Sequence, residues 1–311
     1  MATHYIERRH HHFGWDNSLS PVLTVQPGDI VEFETIDASG GQLTPNSTAA
    51  DVATLDFGKV NPATGPILVE GAEPGDALVV HVHDMKPSGW GWTANIPGFG
   101  LLAHRFTQPA LVHWHYDTTL TTPAPFKAGA SVPLKPFIGV IGQALAESGL
   151  HSVVPPRRVG GNMDTADICV GSTVTFPVEV EGALFSLGDT HAAQGDGEVC
   201  GTAIESAMNV VVELQLIKNR TLKFPIIDNP SPRGRHIDGK GYLVTTGIGP
   251  DLMQNAIEAL DQMVDLISDR LKIEPVDAYM LCSACADLKI TEIVDQPNWI
   301  VGCHFPKAVL P

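Results

Sequence analysis

The stretch from Leu184 to Glu205 gathers the residues best suited to chemistry. Within 22 residues it holds Asp189, His191, Gln194, Asp196, Glu198 and Glu205, interleaved with glycines. An imidazole nitrogen and several carboxylate oxygens suit zinc or another divalent cation, and a carboxylate left over can carry a proton. Side chains alternate along an extended backbone, so Asp189 and His191 project from one face, as do Asp196 and Glu198. A strand-turn-strand over this stretch would therefore assemble a small polar cage. The plainer alternative is a Gly/Asp-rich surface hairpin whose acids are solvated.

A second pair lies in Ala77–Met85, where His81 and His83 share one strand face and Asp84 points the other way. Two imidazoles at this spacing make half of a metal site; a strand whose histidines pack or face solvent reads equally well. In Val159–Asp164, Asn162 and Asp164 again fall two apart after paired glycines, which on its own is an ordinary turn. His10, His11 and His12 form a short tract that could bind metal or belong to a flexible terminus. Cys282 and Cys285 have no second pair and read as small buried residues on a helix. Trp90, Trp92 and the segment Ile96–Gly100 suit either an aromatic pocket rim or a packed loop, with the loop ahead. No nucleophile elbow, P-loop or dinucleotide fingerprint is present.

The elements that must position these groups are mostly strands. Glycine (30) and proline (24) are spread as turn punctuation, above the roughly 12 % background, with no low-complexity block. Between them lie β-branched runs at Pro21–Val25, Ile30–Thr35, Ile67–Glu70, Ala77–Met85, Ser172–Val180, Val210–Ile217 and Tyr242–Thr246. Val25–Asp29 and Ala72–Asp76 both end in Pro-Gly-Asp, a turn that delivers the chain into a strand. Helix is expected late: from an N-cap at Asp251, apolar residues at helical period run from Leu252 to Leu271. A shorter helix over Glu274–Ala284 and a strand near Leu288–Ile293 follow. The fold expected is mainly β, α+β overall. It divides into a β-rich part over 1–150 and a second over 151–311 that carries the acidic/His motif and the helices, unless the two form one integrated domain.

Composition narrows the function classes. With 35 acidic against 19 basic side chains the formal net charge is −16, which argues against a nucleic-acid partner. No run approaches the ~18 apolar residues of a membrane span, and Met1–Ser18 lacks the apolar core of a secretory signal. Five cysteines, odd in number, fit reduced thiols in a cytoplasmic protein. Self-association as a homo-oligomer is the general expectation for such a chain.

The segment Gly188–Glu205 resembles the signature of the acetamidase/formamidase family. So do Asp37–Gly41, Pro62–Pro66, Val69–Asp76, Gly98–Leu102, Pro136–Gly142 and Gly160–Asp164, in family order, and more loosely Ala286–Ile290 and Pro306–Lys307. The resemblance implies a jelly-roll-like β-sandwich with a smaller α/β portion. It also implies hydrolysis of short aliphatic amides to a carboxylate and ammonia, and a bound divalent metal, zinc foremost and sometimes calcium. Some members act on cyclic amides. The resemblance adds Asp37 and Asp164 to the candidate ligands. Asp189 and His191, with one or both of His81 and His83, are the ligands expected from the residues themselves. Glu198 is the expected general acid/base, Glu205 its reserve, and Asp196 or Gln194 would orient water. Lactam hydrolysis on the same fold, or a non-catalytic ligand-binding sandwich, are the alternatives.

Overall fold

Met208, Val210, Val212 and Leu214 are buried in alternation with more open neighbours, so the strand Met208–Ile217 has one wet and one dry face. It lies at the middle of a six-stranded sheet in the order Thr3–Ile6, Ile30–Glu34, Met208–Ile217, Ala77–Pro87, Thr173–Pro177, Ile226–Asp228. This arrangement comes from a computed structural model that describes residues 2–230, 239–294 and 296–311.

A second sheet runs Gly160–Asn162, Phe137–Gly142, Phe185–His191, Ala63–Val69, His11–His12, with Leu23–Val25 parallel to Ala63–Val69. Its central strands are buried along their whole length. The dry faces of the two sheets meet in one core, in which Phe33 and Phe185 pack edge to face at 5.9 Å. Both sheets mix strands from either side of residue 150. A hairpin of Trp90–Asn95 and Ala110–His115 adjoins the second sheet.

The helices are where periodicity places them. Leu252–Leu271 is capped by the Asp251 carboxylate, which accepts from the Gln254 N–H, and it buries Leu260, Met263, Val264, Ile267 and Leu271. With the almost wholly buried helix Pro275–Cys285, it packs beside a three-stranded sheet of Tyr242–Gly249, Trp299–Pro306 and Asp287–Glu292. No helix among the described residues is long and apolar enough to cross a membrane.

Both Pro-Gly-Asp turns form. Gly28 and Gly75 take φ of +95° and +94°, and the Asp29 and Asp76 carboxylates accept from the backbone N–H three residues earlier. The histidine tract is no loose terminus: His12 is half-buried, its Nε2 sits 2.8 Å from Ser186 Oγ, and desolvation pushes its pKa down to about 4. All five cysteines are buried.

Candidate active site

Asp189 and His191 end the central strand Phe185–His191, and the chain then turns back over them. Ala192 N–H donates to the Ile204 carbonyl, and Ser206 N–H to that of Thr190, so residues 192–206 form a returning loop, not a simple hairpin. The return brings the Glu205 backbone into bridges with Trp92 and His191. Glu205 Oε2 then lies 3.1 Å and Asp189 Oδ1 3.2 Å from His191 Nε2. Gly139, on the neighbouring strand, makes room for this. A Cβ there would meet the Asp189 carbonyl oxygen at 2.6 Å, Asp164 Oδ1 at 2.8 Å and the His191 ring at 2.9 Å.

The His191 ring is oriented from behind. Gln194 donates its Nε2 to the Asp164 carbonyl, which can only accept, and so presents Oε1 to His191 Nδ1 at 2.9 Å. Nδ1 therefore carries the donated hydrogen, and Nε2 faces the carboxylates. Asp164 comes from the turn after Gly160–Asn162. Its Oδ2 accepts from Asn162 Nδ2 at 2.6 Å, while Asn61 Nδ2 donates to Asp189 Oδ2 at 2.9 Å.

Glu198 stands on a loop that the C-terminal helix grips. Ser283 Oγ accepts from the Cys200 N–H and donates to the Thr202 carbonyl, Tyr279 donates to the Val199 carbonyl, and Gly195 N–H donates to the Ser283 carbonyl. A side chain at position 195 would strike the Ala286 carbonyl oxygen, so the close approach requires glycine.

These groups form two overlapping candidate metal sets, Asp164–Asp189–His191 and His191–Glu198–Glu205, with the ligand atoms of each set within 4.8 Å of one another. Crowding acids together in a buried site disfavours their ionised forms. Burial, then the Asp189 charge, pushes Asp164 up to about 7; burial and the same charge push Glu205 up to about 7. Burial, then Asp164, raises Glu198 well above the usual carboxylate range. For His191, burial opposes the charged ring, but Glu205 and Asp189 outweigh it and hold its pKa well above the ordinary value. Two buried oxygens aimed into the cluster, Asp164 Oδ1 and Glu205 Oε2, have no hydrogen-bond partner. Carboxylate oxygens crowded round the Nε2 of an imidazole whose Nδ1 is already engaged fit a divalent cation, which would take the place of the Nε2 proton.

Above the cluster is a pocket of about 70 Å³, on a scale where one water takes up about 10–15 Å³. Asn61, Asp164, Asp189, Glu198 and Glu205 lie among its polar lining, Trp92, Ile96 and Phe99 among its apolar lining. Four of these, Asn61, Asp164, Asp189 and Glu198, have positive φ of 43–48°, a backbone conformation rare outside glycine. Local strain is concentrated where the polar groups converge.

Of the residues expected from the sequence, Asp164, Asp189, His191, Gln194, Glu198 and Glu205 come together, and four do not join them. His81 and His83 lie on the other sheet. They alternate with the buried Leu78, Val80 and Val82, so they face outward, where His81 Nδ1 meets Thr173 Oγ1 and His83 Nε2 meets Glu213. Asp37 is buried behind the pocket wall, its Oδ1 accepting from Ser39 and from Trp92 Nε1. Asp196 is exposed; the left-handed backbone of Glu198 breaks the alternation that would have paired them. Gln194 meets the imidazole, its Oε1 at His191 Nδ1. The Trp92 and Phe99 segments form a rim, where a packed loop was the first expectation. Sequence reasoning missed Asn61 and Gly139. Their signal was position inside or beside the blocks Pro62–Pro66 and Pro136–Gly142.

Comparison with known proteins places the chain in a family. Residues 2–152 and 143–311 match the model of the Acetamidase/Formamidase family. The chain is 31 % identical over 297 residues to a formamidase of Methylophilus methylotrophus, covering 77 % of this chain and 72 % of that protein. It is 31 % identical over 281 residues to an acetamidase of Mycolicibacterium smegmatis, covering 70 % and 69 %. Among solved structures, a gamma lactamase from Delftia acidovorans superposes with a TM-score of 0.89 at 27 % identity, covering 97 % of this chain and 90 % of that one. An acetamidase from Bacillus halodurans superposes with 0.69 at 32 % identity, covering 97 % of both. The chain belongs to the acetamidase/formamidase family.

Proposed function

We propose that the protein is a metal-dependent amidohydrolase that cleaves small linear amides to a carboxylate and ammonia. The observation that carries this is the buried carboxylate–imidazole cluster at the floor of a small pocket, in which Asp164 Oδ1 has no hydrogen bond and Glu205 Oε2 meets only the His191 ring. Asp164, Asp189, His191 and Glu205 are the residues that would hold the cation, and zinc suits their oxygen and nitrogen donors. Such a cation, when bound, acidifies water from a pKa of about 15.7 towards 7 and polarises a carbonyl.

The chain's own groups do the rest. Glu198 lines the pocket beside the ligand set, and burial beside Asp164 favours its protonated form, which suits a group that must hand a proton on. It takes a proton from the attacking water and returns it to the departing nitrogen, so ammonia leaves as the carboxylate forms. Gln194 and Asn61 hold His191 and Asp189 in place. The apolar wall excludes bulk water, which strengthens each of these interactions.

A second reading, hydrolysis of a small cyclic amide, is favoured by the higher structural similarity to the gamma lactamase than to the acetamidase. Metal analysis of purified protein, with ammonia release from formamide, acetamide and propionamide and ring opening of a γ-lactam, tests both. A stoichiometric divalent ion and chelator-sensitive turnover are expected. Full activity without the ion would overturn the metal mechanism, and ring opening alone would select the second reading.

A further inference from the structure

The pocket is polar at its floor and apolar at its mouth, and the mouth is built from two large exposed aromatics. Phe57 and Phe99 are 52 % and 40 % exposed, yet their rings meet edge to face at 6.3 Å. They come from separate segments, each fixed by a tight turn. Phe57 follows Asp56, whose side chain accepts from Gly58 N–H and whose backbone N–H donates to Gln42 Oε1. Phe99 closes a turn through its N–H to the Ile96 carbonyl, with Gly98 and Gly100 at φ of +82° and +89°. The Phe99 ring also lies on Gly201, where a Cβ would come within 2.4 Å of two ring carbons. Position 201 is thus bare so that the ring can rest against the loop that carries Glu198. Below the two rings, Leu55, Val60, Ile96 and Val154 continue the apolar wall.

Resting on the amidase reading, we infer that Phe57 and Phe99 are specificity-determining residues that select amides bearing an uncharged apolar substituent over formamide. The carboxamide fits the polar floor, and a hydrocarbon group leaving that floor has only the aromatic collar to rest on. Among the described residues no Lys, Arg or His lines the pocket, so its wall offers no cation to pair with a carboxylate on the substrate's hydrocarbon end. Each methylene buried against the collar is worth about fourfold in kcat/KM. Formamide, with no carbon substituent, gains nothing from it.

The test measures kcat/KM for formamide, acetamide, propionamide, butyramide and phenylacetamide on the intact holoenzyme, then on Phe57→Ala and Phe99→Ala. Affinity for phenylacetamide is measured in parallel by calorimetry, and folding is checked by thermal melting. The expected result is a rise along the aliphatic series and a roughly tenfold fall in the phenylacetamide-to-formamide ratio in each variant. Calorimetry should show weaker binding in the variants. A flat series, or an unchanged ratio and affinity in both variants, would overturn the inference while leaving amidase activity in place. If no amide is turned over, the amidase reading falls, and the calorimetric difference between wild type and variants still decides for or against the collar.

Discussion

His81 with His83 on one strand and Asp189 with His191 on another share the same two-residue spacing of metal-competent side chains, and only the second pair joins a site. His81 and His83 lie on a strand with one dry face, which Leu78, Val80 and Val82 occupy, so the imidazoles point outward to Thr173 and Glu213. Asp189 and His191 lie on a strand that is buried on both faces because residues 192–206 fold back over its end. Spacing alone sets which side chains share a face. Whether that face meets water or a returning loop decides whether the ionisable groups are solvated singly or forced together.

Substitution at the two histidines breaks the comparison most sharply. His191→Ala should lower amide turnover by more than about 10³-fold, beyond the loss of a typical proton shuttle, and should release the metal. His83→Ala should stay within about 0.5 kcal/mol of wild type in stability, with turnover little changed. Paired kinetics and metal analysis read both, and an equal loss at the two positions would refute the contrast drawn above. Glu198→Gln comes next. It should cost about 10²–10⁴-fold in kcat with metal content retained. A fully active variant would remove Glu198 from proton transfer.

Gln194→Leu sharpens the account of how the imidazole is held. Losing the acceptor at Nδ1 should weaken metal affinity by about 10–100-fold, measured by competition with a chromophoric chelator. Gln194→Glu, which keeps an acceptor, should recover part of it. A further test is read from pH. In metal-free protein the folded state keeps protons on Asp164 and Glu205 up to about pH 7, whereas the unfolded chain releases them near pH 4. Unfolding releases these two protons across this window and takes up one at His12, whose pKa is held down to about 4, so the acids outweigh it and stability should fall as pH rises from about 4.5 to 7, by a few kcal/mol. Melting curves at pH 5 and 8 check this, and saturating zinc should flatten the dependence. A melting temperature that rises with pH in the metal-free protein would contradict the crowding of these acids.

Local pattern carried much of the architecture into view. The helix Leu252–Leu271 was legible in full because its apolar residues recur at helical period over five turns. Strands such as Ile30–Glu34 and Met208–Ile217 were legible from their β-branched residues. Phe137–Gly142 and Trp90–Asn95 were not among the expected runs, and Phe185–His191 was expected only as half of a strand-turn-strand over Leu184–Glu205, although the second sheet and its hairpin depend on all three. They are rich in glycine, polar and aromatic residues, and they are buried on both sides, so no alternation marks them.

The site divides the same way. Asp189 with His191 was readable from spacing, and Asp164 from family blocks. Asn61 and the inward turn of Glu205 depend on chain segments brought together from afar, which local sequence does not encode. Positive φ at Glu198 undid the one pairing, with Asp196, that alternation had suggested.

The grip of Tyr279 and Ser283 on residues 199–202 has a further consequence. On the proposed function, Asp164, Asp189 and His191 hold the ion from the sandwich, whereas Glu198 hangs from a helix some eighty positions later. The two halves of the chemistry are thus separately tunable. Loosening that helix would leave a protein that still takes up its ion but has lost the timing of proton delivery, so drift in the last forty residues could reset turnover without altering the ion-binding centre.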